Sequence, residues 1–130
     1  MYYKTPHNHN LPIYNKALDI FKLSRRIADY LNYDLCRLKL DGKEQQHIYF
    51  SGDIVQQSEL LAPEIIKAES HFYSEKKYKH AAKVRVITNL LYKSCKRLET
   101  CESNGKEFLP ILRKELKLFS KLQRHWMLTL

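Results

Sequence analysis

Apolar residues recur at steps of three and four in four separate stretches of this chain, and that spacing restricts the fold to packed amphipathic helices. The first stretch opens with Pro12 at a first-turn position, with Asn10 nearby as a cap, and carries Ile13, Ala17, Ile20, Phe21, Ile27, Ala28 and Leu31 on one face. Lys16, Asp19, Lys22, Arg26 and Asp29 occupy the other face, so a helix is expected over about 12–32. The second, about 51–73, has Ser51 or Asp53 as its cap and Ile54, Ser58, Leu61, Ala62, Ile65, Ala68 and Phe72 on its face. Pro63 lies inside it, and an interior proline removes a backbone bond, so the helix is expected to kink there. The third, about 74–101, has the core line Ala81, Val84, Ile87, Leu91, Cys95 and Leu98, with Asn104-Gly105 beyond it as a stop. The fourth, about 106–128, buries Phe108, Leu109, Leu112, Leu116, Phe119, Leu122 and Trp126.

Residues 1–10 and 33–50 are expected to be flexible, although the alternation around Leu35–Leu40 and the Asp41-Gly42 pair also admit a hairpin. A lone hairpin is marginal in water, which favours an irregular connection, one form of which is an extension of the first helix followed by a mobile loop. Only three Gly and four Pro occur in 130 residues, in keeping with long regular elements in one domain. The expected architecture is all-α: an antiparallel up-down four-helix bundle over residues 1–130. No run approaches the roughly 18 apolar residues of a membrane span, and the N-terminus lacks the apolar stretch of a signal peptide. A cytoplasmic protein with no membrane partner is expected. Cys36, Cys95 and Cys101 are odd in number and form no close pair, which suits reduced, inert thiols.

Charge is sorted by segment. Residues 51–75 hold one basic and five acidic groups, residues 76–99 eight and one, and residues 106–130 six and two. The net charge of +9 therefore belongs to the second half of the chain, where it proposes a basic binding surface. On the third helix Lys79, Lys83, Val86, Leu90, Lys93 and Arg97 share one stripe, and Arg113, Lys117, Lys121 and Arg124 make a line along the fourth. If the helices are neighbours, these lines could join as one phosphate-binding surface for RNA or DNA. A solvated lysine-rich face is the plainer alternative. Val86 and Leu90 interrupt the stripe with apolar groups, as at a protein interface. Glu59, Glu64 and Glu69 on the second helix could meet a neighbour's basic surface and close a ring, or could pair within one subunit. Tyr73, Tyr78 and Tyr92 accompany the third helix and are expected to be half-buried bundle residues rather than base-stacking platforms.

Three stretches carry a family resemblance: Leu11-Pro-Ile-Tyr-Asn-Lys-Ala-Leu-Asp-Ile, Ala62-Pro63-Glu-Ile-Ile66, and Leu90-Leu-Tyr-Lys-Ser-Cys-Lys-Arg-Leu-Glu. They resemble the first helix, the mid-helix proline and the third helix of the bacterial ribosomal-RNA intervening-sequence proteins. The accessory variability determinants of diversity-generating retroelements are similar in the same way. The resemblance implies a helical bundle that assembles as a homo-oligomeric ring, often a pentamer. In the retroelement branch it also implies a basic, non-enzymatic partner of a reverse transcriptase and its RNA.

No catalytic, metal or cofactor constellation stands out. His7 and His9 form only a terminal doublet, and His47, His71, His80 and His125 lack metal-ligand spacing. Glu64 and Glu69 do not make a carboxylate-bridged metal motif, and no Gly-rich phosphate cradle is present. Helical-bundle ribonucleases of toxin systems use an Arg four to six residues before a His. No Arg here precedes a His at that distance, which leaves a ribonuclease a distant alternative. The expected function is thus a non-enzymatic nucleic-acid-binding accessory protein without cofactors. Its alternative is a structural interaction module that binds only protein.

Overall fold

The computed structural model describes residues 11–35, 47–101 and 104–130, and these are almost entirely helical, without a strand. Helix α1 spans Pro12–Leu35, α2 His47–Glu59, α3 Leu61–Ser70, α4 Ser74–Leu98 and α5 Leu109–Leu128, with a short 3-10 turn at Asn104–Phe108. Helices α2 and α3 are the two halves of one bent rod, so the molecule is a four-membered all-α bundle. In it α1 packs against α2 and α5, and α4 packs against α2, α3 and α5. Ser94 Oγ donates to Gln57 Oε1 at 3.0 Å, and His80 lies 2.7 Å from Glu64. Rising numbers on the bent rod therefore meet falling numbers on α4, and the two run in opposite senses. The same holds for α4 and α5, where Gln123 Nε2 donates to the Ala81 carbonyl at 3.2 Å and Arg113 Nε to Glu99 at 2.5 Å.

The core is the set of faces that the spacing picked out. Ile13, Ala17, Ile20, Ile27, Ala28 and Leu31 meet Ile54, Leu61, Ile65 and Ala68 of the bent rod, and α4 and α5 close it with Val84, Leu91, Leu98, Leu112, Leu116 and Phe119. Several boundaries differ from expectation. Helix α1 continues to Leu35, and α2 begins at His47. Ser51 is thus interior rather than a cap, buried and donating to Asn32 Oδ1 of α1. Residues 1–10 and 36–46, including Cys36 and the Asp41-Gly42 pair, lie outside the described residues. Helix α4 ends at Leu98 rather than near Cys101.

The break in the bent rod falls at Leu60, three residues before Pro63. Pro63 has no N–H to give to the Glu59 carbonyl, the partner it would have in a continuous helix. Instead the chain turns at Leu60, and α3 starts afresh with Pro63 in its first turn, where no N–H is required. Phe72 leaves the expected core face: it lies beyond the end of α3 and is 88% exposed. Phe108 is also exposed and packs edge-on against Tyr30, with ring centroids 5.7 Å apart.

Candidate nucleic-acid interface

A long helix presents several faces, and the neighbours it packs against decide which cations share a surface. On α4 the faces turned toward α5 and α3 lie on opposite sides of the core line. Between α4 and α5 runs a cleft of about 330 Å³ lined by Asn89 and Tyr92 of α4 and by Lys117, Ser120, Lys121 and Arg124 of α5. It continues into a second pocket that shares Asn89, Ser120 and Arg124 and adds Arg85. Lys117, Lys121 and Arg124 are exposed and have no carboxylate partner among the described residues. Their steps of four and three place successive cations about one helical turn, roughly 5 Å, apart along the groove.

Arg113 belongs to the same line but is engaged. It donates to Glu99 at 2.5 Å, and its guanidinium also acts on the Tyr92 hydroxyl. This interaction is the main reason the Tyr92 hydroxyl sits below its ordinary range, with the charges of Lys117 and Lys96 adding to it. Tyr92 is half-buried, and the Lys96 ammonium stands 5.3 Å from its ring centroid. With one face occupied by a cation, this ring forms part of the groove wall and is not an open platform for bases.

The expected stripe of α4 lies elsewhere. Lys79 and Lys83 border a separate cleft on the α3 side together with Val86. Lys93 and Arg97 are exposed on α4, but neither lines the α4–α5 groove. The single continuous basic surface expected from the two lines is therefore divided by the body of α4. The α4 side chains that do join the α5 cations are Arg85, Asn89 and Tyr92, with Lys96 over the ring. They recur at steps of four, three and four, a stripe legible in the sequence once α5 is known to lie on that side.

The expected acidic surface is largely consumed within the chain. Glu64 Oε2 is 2.7 Å from His80 Nδ1, and Lys67 reaches its other oxygen at 3.4 Å. Burial pushes the Glu64 carboxyl up, but the hydrogen bonds from His80 and Lys67 outweigh it and hold the group below its ordinary value. Glu69 accepts a bond from Trp126 Nε1 at 2.7 Å. Of the three carboxylates assigned to an intersubunit contact, Glu59 alone is exposed. The acidic half of the bent rod thus serves to seat α4 and α5.

Val86 and Leu90 are 57% and 46% exposed, as an interface would require. Among the described residues no cluster of three or more His, Cys, Asp or Glu could hold a metal ion. No helix among them is long and apolar enough to cross a membrane. No family model matches the chain, and neither the curated proteins nor the solved structures contain a significant match to its sequence or fold.

Proposed function

We propose that this chain is a non-enzymatic, basic nucleic-acid-binding protein whose contact surface is the groove between α4 and α5. The observation that carries the reading is the row Lys117, Lys121 and Arg124 along one wall, facing Asn89, Tyr92 and Arg85 on the other. Cations one turn apart in a groove suit a phosphate backbone, and binding releases counterions. With Tyr92 covered by Lys96, the groove supplies charge rather than base stacking, so RNA and DNA are bound with little regard to sequence.

The test is fluorescence anisotropy of labelled RNA and DNA oligonucleotides against the full chain. Reversing three charges, K117E/K121E/R124E, is expected to weaken binding by more than tenfold for both. Reversing the other face with K79E/K83E should cost far less. Equal affinity of the groove variant and the parent would overturn the reading.

The narrower role, assistance to a retroelement reverse transcriptase and its RNA, rests on the three resembling sequence stretches alone. It predicts a reverse-transcriptase gene and a variable repeat beside this one, and their absence removes it. A homo-oligomeric ring closed by the acidic rod is not part of this reading, because Glu64 and Glu69 are already bonded within the subunit.

A further inference from the structure

The cleft on the α3 side of α4 differs chemically from the α4–α5 groove. It is an open groove of about 430 Å³ between the break in the bent rod and α4, with Leu60, Ala82, Val86 and Ile87 as its apolar surface. Leu60 is 51% exposed and Val86 57%, and Leu90 extends the ridge by one more turn. Lys79 and Lys83 form the rim, and Lys93 lies exposed beside the Leu90 end. The one carboxylate in the lining is Glu64, held by His80 and Lys67. An apolar slot with a positive rim is the complement of an apolar stripe with negative flanks.

We propose that this cleft docks an acidic amphipathic helix of a partner protein. Apolar side chains of that helix, spaced by three and four, enter between Leu60 and the Val86–Leu90 ridge. Carboxylates flanking its stripe reach Lys79, Lys83 and Lys93. Charge complementarity chooses this occupant over a second copy of the chain. A two-fold contact would set lysine rim against lysine rim. Among the exposed apolar side chains of α5, Ile111 and Leu118 themselves stand among Lys114, Lys117 and Lys121. A nucleic acid would pair with the lysines but would leave Val86 and Leu90 without an apolar counterpart. The inference is independent of the nucleic-acid reading, because it uses a different face of α4.

The experiment is a display selection of random helical peptides against the full chain and, in parallel, against V86S/L90S. Both replaced side chains are exposed, so the variant keeps its core, which a thermal melt verifies. Enrichment is expected for peptides with apolar residues at i, i+3 or i+4, and i+7, flanked by Glu or Asp. Such a peptide, synthesised and labelled, should bind the parent more tightly at low salt and lose more than tenfold in affinity on V86S/L90S and on K79E/K83E. RNA binding by V86S/L90S should be unchanged, so failure here and failure of the groove reading are told apart. The proposal is overturned if no peptide is enriched over V86S/L90S, or if the enriched peptides lack acidic residues. It also falls if sedimentation shows self-association that V86S/L90S abolishes, which would make the occupant a second copy. Binding to phosphatidylserine vesicles that depends on Val86 and Leu90 would assign the cleft to a membrane surface and overturn it as well.

Discussion

At Gly105 a methyl group would stand 2.5 Å from Cδ1 of Tyr30 and 3.1 Å from Cδ2 of Leu31. The glycine expected as a simple helix stop is thus the point where the approach to α5 presses on α1. Gly105→Ala should destabilise the chain by about 1–3 kcal/mol in urea unfolding, the usual cost of overpacking. Glu64 is a second single-residue determinant. Its carboxyl is held below the ordinary value of 4.5 in the folded chain, so its contribution is present above the unfolded value and is lost as pH falls through the folded one. The melting temperature of Glu64→Gln should therefore lie below that of the parent at neutral pH, with the gap closing as the pH drops below about 4.5. A gap that stayed constant with pH would count against this account. Burial, reinforced by the charge of Glu99, pushes the Cys95 thiol up to about 12, and Cys101 is buried too. In a Cys36→Ser background neither thiol should react with a disulfide reagent at neutral pH until denaturant is added, when both should appear.

Among the elements, the bent rod shows how one residue relocates a boundary. The expected kink at Pro63 exists, but it is expressed at Leu60 because the proline occupies a first turn instead of an interior position. That placement predicts a small effect of replacement. Pro63→Ala should destabilise by about 0.5–1 kcal/mol, through the greater freedom of the unfolded chain. A proline straining a helix interior would give the opposite sign, with a gain of up to roughly 3 kcal/mol. Equilibrium unfolding of the two proteins decides between them. The apolar faces of all four rods were readable, since Ile20, Ile65, Leu91 and Leu116 fall where their spacing puts them. Among the buried polar positions, spacing puts Ser58 on its core face, but not Thr88, Ser94 or Gln123. Thr88, Ser94 and Gln123 lie in the core because Thr88 bonds the Val84 carbonyl, Ser94 meets Gln57, and Gln123 reaches the Ala81 carbonyl. Two of those three partners belong to another helix, and spacing along one helix cannot reveal them.

For the whole molecule, the division of charge by α4 makes two faces with separable chemistry. If Lys117, Lys121 and Arg124 each neutralise one phosphate, the logarithm of duplex affinity should fall with the logarithm of salt at a slope of about −3. Reversal of those three should flatten the slope, while K79E/K83E should leave it near the parent value. Titrations at several salt concentrations test this directly. The sequence by itself determined the helical class, the main apolar faces of the core and the concentration of positive charge on the last two helices, because each depends on residue type and on a period internal to one helix. Tertiary structure alone decided which cations share a groove, since that depends on the side of α4 against which α5 packs. It also decided that Glu64 and Glu69 serve internal bonds and that Val86 borders a cleft with Leu60. Those facts are contacts between helices distant along the chain, and the physics that selects them is the packing of whole faces rather than the properties of any one segment.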